Sequence, residues 1–180
     1  MPAELADVLR RIVARRRQRL AATPPTGPTE AQGPPERFIQ ALRAHPGRRV
    51  IAEVKLGSPR LGSLVDPFDA EHQARLYADN GAAALSVVVE PDFFNGSYEL
   101  LERCRRASGL ATLAKDFVVD ARQLEWACAA GAQAVLLIAA LYSRRELRKW
   151  AEIARQLGLA VLVEIHSRAD LELLAGGDWP

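Results

Sequence analysis

A chain of 180 residues, 49% hydrophobic and 26% charged with a formal net charge of +2, has the composition of one globular domain with a sizeable core. No apolar run approaches the roughly 18 residues of a membrane span, and the start lacks the apolar centre of a secretory signal, so a cytoplasmic setting is expected. Cys104 and Cys128 form no Cys-x-x-Cys pair and read as small buried hydrophobes, and His45, His72 and His166 share no ligand spacing, so neither a disulfide framework nor a metal site is expected.

Residues 1–22 read as an amphipathic helix, with Leu5, Val8, Leu9, Ile12 and Val13 recurring at helical spacing. Arg10, Arg11, Arg15, Arg16, Arg17 and Arg19 are expected on its solvent side. They give residues 1–20 a net charge of +4 against −2 for the remainder. The helix has no interleaved aromatics, so neither it nor the rest of the chain is expected to bind nucleic acid or a membrane. Residues 23–35 hold five of the eleven prolines and almost nothing apolar, the pattern of a linker.

The third unit, 36–180, opens with a short helix expected at 36–44. Apolar runs of strand length follow at 50–54, 84–89, 110–114, 134–140 and 160–165. Between them lie helical stretches bounded by polar caps and closing glycines: Asp66 to Gly81, Ser97 to Gly109, Asp120 to Gly131 and Ser143 to Gly158, with Glu146 at capping-box spacing from Ser143. Strands alternating with helices demand a parallel α/β sheet. A doubly wound nucleotide-binding sheet should show Gly-x-Gly-x-x-Gly after its first strand, but that turn reads Lys55-Leu-Gly-Ser-Pro-Arg-Leu-Gly62. A TIM-type (β/α)8 parallel barrel with an N-terminal helical extension is therefore expected. The chain holds its first five βα units and ends before strand six, which leaves open sheet edges through which copies are expected to self-associate.

In any parallel α/β fold the ligand site forms at the carboxyl edge of the strands. Glu53, Lys55, Glu90, Lys115 and Glu164 end the apolar runs, and unpaired burial of such charges would cost several kcal/mol each, so they are expected to face one another or a ligand. The chain has 21 Arg and only three Lys, and two of the three, Lys55 and Lys115, fall on this rim. An ammonium group can give up a proton near neutral pH where a guanidinium cannot, so proton transfer on a small anionic substrate is the expected chemistry. An ion-pair cluster plugging the barrel mouth is the competing reading. Lys149 lies among Arg144, Arg145 and Arg148 and reads as surface charge, His166 as a loop histidine, and Phe93 and Phe94 as loop aromatics.

Ile51-Ala-Glu-Val-Lys55 with Ser58-Pro59, Gly81-Ala-Ala-Ala-Leu-Ser-Val87, Glu90-Pro91 with Phe93-Phe94-Asn95-Gly96-Ser97, Lys115-Asp-Phe-Val-Val-Asp120, Ala134-Val-Leu-Leu-Ile138 and Leu162-Val-Glu164 stand in an order and spacing that resembles indole-3-glycerol phosphate synthases. The resemblance implies a carbon–carbon lyase of tryptophan biosynthesis. Its substrate would be 1-(2-carboxyphenylamino)-1-deoxyribulose 5-phosphate, which is closed, decarboxylated and dehydrated without metal or organic cofactor. It implies that Lys115 is the general acid on the carbonyl attacked during ring closure and Glu164 the acid/base group for loss of water. By the same resemblance Lys55 holds the substrate's anionic groups and can share the acid role, while Glu53 positions a lysine and substrate hydroxyls. Pro59, Phe94, Phe117 and Leu136 would wall the anthranilate ring, with Ser58 and Asn95 as polar neighbours.

Against the family pattern, Leu56-Gly57-Ser58-Pro59-Arg60-Leu61-Gly62 stands where Lys-x-Ser-Pro-Ser-x-Gly is usual, Ala114 where a basic residue precedes Lys-Asp-Phe, and Val89 where threonine is common. Two alternatives remain at this level: another phosphosugar barrel such as a phosphoribosylanthranilate isomerase, and an inactive half-barrel that acts only by association.

Overall fold

The computed structural model describes residues 3–23, 34, 36–64, 69–175 and 179. Helix α1 (Ala3–Ala21) and helix α2 (Glu36–Ala44) precede five strands: β1 (Ile51–Val54), β2 (Ala84–Val88), β3 (Thr112–Lys115), β4 (Ala134–Ile138) and β5 (Ala160–Glu164). All five lie in one parallel sheet, in sequential order β1 to β5. A doubly wound sheet reverses its strand order at a switch point, and this one does not, so the architecture is that of part of a parallel barrel. The strands alternate with α3 (Ala70–Asp79), α4 (Pro91–Phe94) with α5 (Tyr98–Ser108), α6 (Ala121–Ala129) and α7 (Arg144–Gln156). Among the described residues no helix is long and apolar enough to cross a membrane.

Helix ends follow the capping chemistry of the sequence. Ser97 caps α5 by accepting from the Leu100 N–H, and reciprocal capping boxes open α6 (Asp120 with Gln123) and α7 (Ser143 with Glu146). The first of these helical stretches differs from expectation. Asp66 lies outside the described residues, and α3 is capped three residues later by Asp69, whose carboxylate accepts from the Glu71 and His72 N–H groups. Most of the proline-rich segment 23–35 lies outside the described residues as well.

Because side chains alternate across a strand, the sheet has two faces with different partners. One face packs against the helices through Val54, Leu85, Val87, Ala114, Val135 and Leu137, with Leu101, Leu124, Leu147, Cys104 and Cys128 buried in the same layer. The other face is the barrel interior. At its amino end Phe38 of α2 closes it against Ala84, Leu113, Ala134 and Ala160, an apolar plug. Full burial of a phenylalanine there contributes about 1.5–3 kcal/mol. Further along, the same face carries Glu53 on β1, Ser86 on β2, Lys115 on β3 and Glu164 on β5, while β4 stays apolar with Leu136 and Ile138, and that change from apolar floor to charged mouth positions the site.

Candidate active site

Glu53 on β1 and Lys115 on β3 point from the interior face toward each other across β2. The Lys115 Nζ donates to Glu53 Oε2 at 2.8 Å, and Lys55 Nζ, just past the end of β1, lies 3.5 Å from Glu53 Oε1. One carboxylate thus bridges two ammonium groups, each side chain between a third and two-fifths exposed. Glu164 at the end of β5 faces the same space, its Oε1 2.5 Å from His166 Nε2. Together they rim a cavity of about 900 Å³ whose walls include Ser58, Pro59, Arg60, Phe94, Phe117, Leu136 and Ile138. The Phe94 and Phe117 rings lie 5.9 Å apart, tilted by 30°. The volume and the apolar walls with a few convergent charges are those of a small-molecule site.

The roof is α1. Val8, Leu9 and Ile12 line the cavity, so the apolar stripe of this helix faces the site. Its arginines are not all solvated, contrary to the expectation from their charge. Arg16 is buried, and its Nη2 donates to Asp116 Oδ2 at 2.5 Å. Arg15 and Arg19 reach Asp92 at 3.3 and 3.4 Å from exposed positions, where ion pairs contribute little. Asp116 is the residue after Lys115 and accepts three further hydrogen bonds. Tyr98 donates at 2.7 Å, Gln123 Nε2 at 2.8 Å and the Phe117 N–H at 2.8 Å. Gln123 also binds the Phe117 carbonyl and the Val119 and Asp120 N–H groups. The segment carrying Lys115 and Phe117 is therefore held from both sides.

Burial pulls the Arg16 guanidinium down, but the charge of Asp116, aided by Tyr98, outweighs it and leaves the group above its ordinary value. Burial and the same carboxylate push the Tyr98 hydroxyl well up, so it stays protonated as a donor.

Glu90 differs from its expected place on the rim. It is fully buried, and its carboxylate accepts from the Asp92 and Phe93 N–H groups at 3.0 and 2.7 Å, capping α4, with Pro91 at the first helical position. Burial pushes its pKa above the ordinary carboxylate value, and those two hydrogen bonds oppose the shift. Phe93 and Phe94 accordingly stand on a helical turn rather than a loop. Asn95 terminates that turn at φ 55° in the left-handed region and is exposed, outside the cavity lining. Gly96 beside it has to be glycine, because a Cβ there would run into the Val88 carbonyl and the Val89 backbone.

The remaining nine residues singled out in the sequence, Glu53, Lys55, Ser58, Pro59, Phe94, Lys115, Phe117, Leu136 and Glu164, all line the one cavity. Sequence reasoning missed the roof residues Val8, Leu9 and Ile12 and the wall residues Arg60 and Ile138, and it favoured a loop histidine without a role at His166, two residues after Glu164, where the structure has the two side chains in contact. It also missed α8 (Arg168–Leu174), whose capping box joins Ser167 to Asp170. Asp170 accepts from the His166 and Ser167 N–H groups at 2.8 and 2.9 Å and so anchors the turn that presents His166. The His166 N–H is the main reason the Asp170 carboxyl lies below its usual range, with burial opposing and Ser167 assisting.

The family model described as indole-3-glycerol phosphate synthase matches residues 9–175. The indole-3-glycerol phosphate synthase of Desulfotalea psychrophila is 38% identical over 181 residues, covering 96% of this chain and 70% of that protein. Those of Burkholderia ambifaria and Burkholderia vietnamiensis are each 43% identical over 177 residues, covering 93% of this chain and 68% of theirs. Among solved structures, a mandelate oxidase overlaps 65% of this chain and 42% of its own at 17% identity and a TM-score of 0.47.

Proposed function

The chain belongs to the indole-3-glycerol phosphate synthase family, and from that premise we propose that its rim closes, decarboxylates and dehydrates 1-(2-carboxyphenylamino)-1-deoxyribulose 5-phosphate to indole-3-glycerol phosphate. The observation that carries this reading is the Lys55–Glu53–Lys115 bridge with Glu164 on the same cavity. It supplies proton donors and acceptors around a space of substrate size.

The ring carbon bearing the carboxylate attacks the ketone carbon, and the displaced electron pair settles on the ketone oxygen, which takes a proton from Lys115. Glu53 steers that lysine by holding its Nζ at 2.8 Å. The carboxylate leaves as carbon dioxide, and the freed electron pair restores the aromatic ring. The new hydroxyl then departs as water with a proton from Glu164, and the carbon next to nitrogen gives up a proton to the carboxylate so formed, its C–H electron pair becoming the indole double bond. His166, 2.5 Å from Glu164, holds that carboxylate in place. Phe94, Phe117, Pro59 and Leu136 exclude water from the ring during these steps and hold it flat against the wall. No organic cofactor or metal has a part in this scheme. A cytoplasmic setting belongs to the same proposal, since a substrate with two ionised groups does not cross lipid unaided.

The phosphoribosylanthranilate isomerase reading gives way because the family match is to the synthase over residues 9–175. Glu164→Gln tests the assignment. It is expected to lower kcat by on the order of 10²-fold with KM nearly unchanged, measured by indole fluorescence. An unaltered kcat would move the acid/base role to another group.

A further inference from the structure

Among the described residues, Lys55, Lys115 and Arg60 are the lysine and arginine side chains on the cavity wall. The first two share Glu53, whereas Arg60 has no ion pair among the described residues. Its position is nonetheless built rather than loose. Gly57–Ser58 and Gly62–Ser63 pair as a small antiparallel hairpin, and the Leu64 N–H closes it on the Leu56 carbonyl. Ser58 Oγ accepts the Leu61 N–H at 3.0 Å and fixes the tip that carries Pro59 and Arg60.

The hairpin sits directly on α4. A Cβ on Gly57 would come within 3.1 Å of Asn95 Nδ2 and of the Gly62 carbonyl oxygen and 3.4 Å of the Phe94 carbonyl carbon, so the hairpin and α4 are in close contact there. Arg60 thereby lines the cavity from a hairpin seated against the turn that carries Phe94, next to the ring wall residue Pro59.

The substrate of the proposed function carries two anions at opposite ends, a phosphate on the sugar chain and a carboxylate on the aromatic ring. With the ring against the Phe94–Phe117 wall, the anion nearest Arg60 is the carboxylate. A guanidinium matches the planar, two-oxygen geometry of a carboxylate with two parallel hydrogen bonds. We propose that Arg60 is a specificity-determining residue that clamps the ring carboxylate from the hairpin tip and selects substrates carrying it. This inference rests on the reading of the rim given above. Because the clamp is made in the bound substrate and is released as carbon dioxide leaves, it acts on KM rather than on kcat.

Two unreactive probes separate the anions: the substrate with its ketone reduced to an alcohol, which keeps both, and indole-3-glycerol phosphate, which keeps only the phosphate. Fluorescence titration of the wild-type chain, Arg60→Ala and Arg60→Lys is the test. Arg60→Ala is expected to weaken the reduced substrate about tenfold and raise KM about as much, and to leave the product's affinity and kcat within about twofold. Arg60→Lys, with the charge but not the fork, should fall between. Equal weakening of both probes would reassign Arg60 to the phosphate and overturn the proposal, as would no change in either. Wild-type chain that binds neither probe would overturn the reading of the rim, and the clamp with it. Arg60 is exposed, so an unchanged thermal midpoint serves as the folding control.

Discussion

Replacing Lys115 by alanine is expected to lower kcat by about 10³-fold and kcat/KM by as much, while the fold stays intact. The equal loss in both constants follows from the role. A proton given to the ketone oxygen stabilises the transition state of ring closure and is not yet transferred in the bound ground state. Stability should hardly move, because the Lys115 side chain is 37% exposed and its partner Glu53 keeps Lys55 at 3.5 Å. Lys115→Arg separates the chemical role from a structural one. A guanidinium preserves the charge opposite Glu53 but does not give up a proton at neutral pH, so this variant should be nearly as slow as the alanine form. Steady-state indole formation with thermal melts of each variant is the measurement. An arginine variant near wild-type rate would reduce the Lys115–Glu53 contact to an ion pair closing the barrel mouth.

The largest expected effect on stability lies one residue away. Asp116→Ala removes the carboxylate that accepts from Arg16, Tyr98, Gln123 and the Phe117 N–H. It leaves a guanidinium, 4% exposed, without its counter-charge. Breaking one side of a buried pair in this way costs about 3–5 kcal/mol. Arg16→Met should cost less, because Asp116 keeps three donors and the methionine stays within the apolar row of α1. Urea unfolding of the two variants gives the comparison. A loss below about 1 kcal/mol for Asp116→Ala would show that the network does not hold the roof helix on the sheet. Because the network also fixes the segment bearing Lys115 and Phe117, turnover of the surviving folded fraction should fall as well.

What the sequence made legible, it did through local physics. The alternation of apolar runs with capped helices gives the parallel sheet, since Ser97, Asp120 and Ser143 satisfy the first amides of α5, α6 and α7 wherever the chain folds. Strand parity places Glu53, Lys115 and Glu164 on the interior face because strand ends are only one or two residues from the apolar runs that fix the register.

The misses arose where a residue's charge type was read ahead of its position. Arg16 stands four residues after Ile12 and four before Leu20, both 3% exposed, so helical spacing alone puts it on the buried row. Its partner, Asp116, is a hundred residues away and has no local signature. Glu90 looked like a rim acid because it follows an apolar run, yet the strand ends at Val88 and the chain turns into α4. An acid preceding Pro91 is a cap followed by proline at the first helical position, and that was the available signal. Ser167-x-x-Asp170 was a similar mark of α8. The roof formed by Val8, Leu9 and Ile12 had no sequence signal. An apolar stripe states that a helix docks, but not against what.

The claim on which the rest depends is that this rim couples ring closure to decarboxylation. The measurement that tests it most directly is simultaneous detection of indole fluorescence and evolved carbon dioxide as wild-type chain acts on 1-(2-carboxyphenylamino)-1-deoxyribulose 5-phosphate. One carbon dioxide for each indole formed, at a rate proportional to protein and about 10³-fold lower in the Lys115→Ala form, is the predicted result. Substrate that binds and is released unchanged, or carbon dioxide without indole, would contradict it.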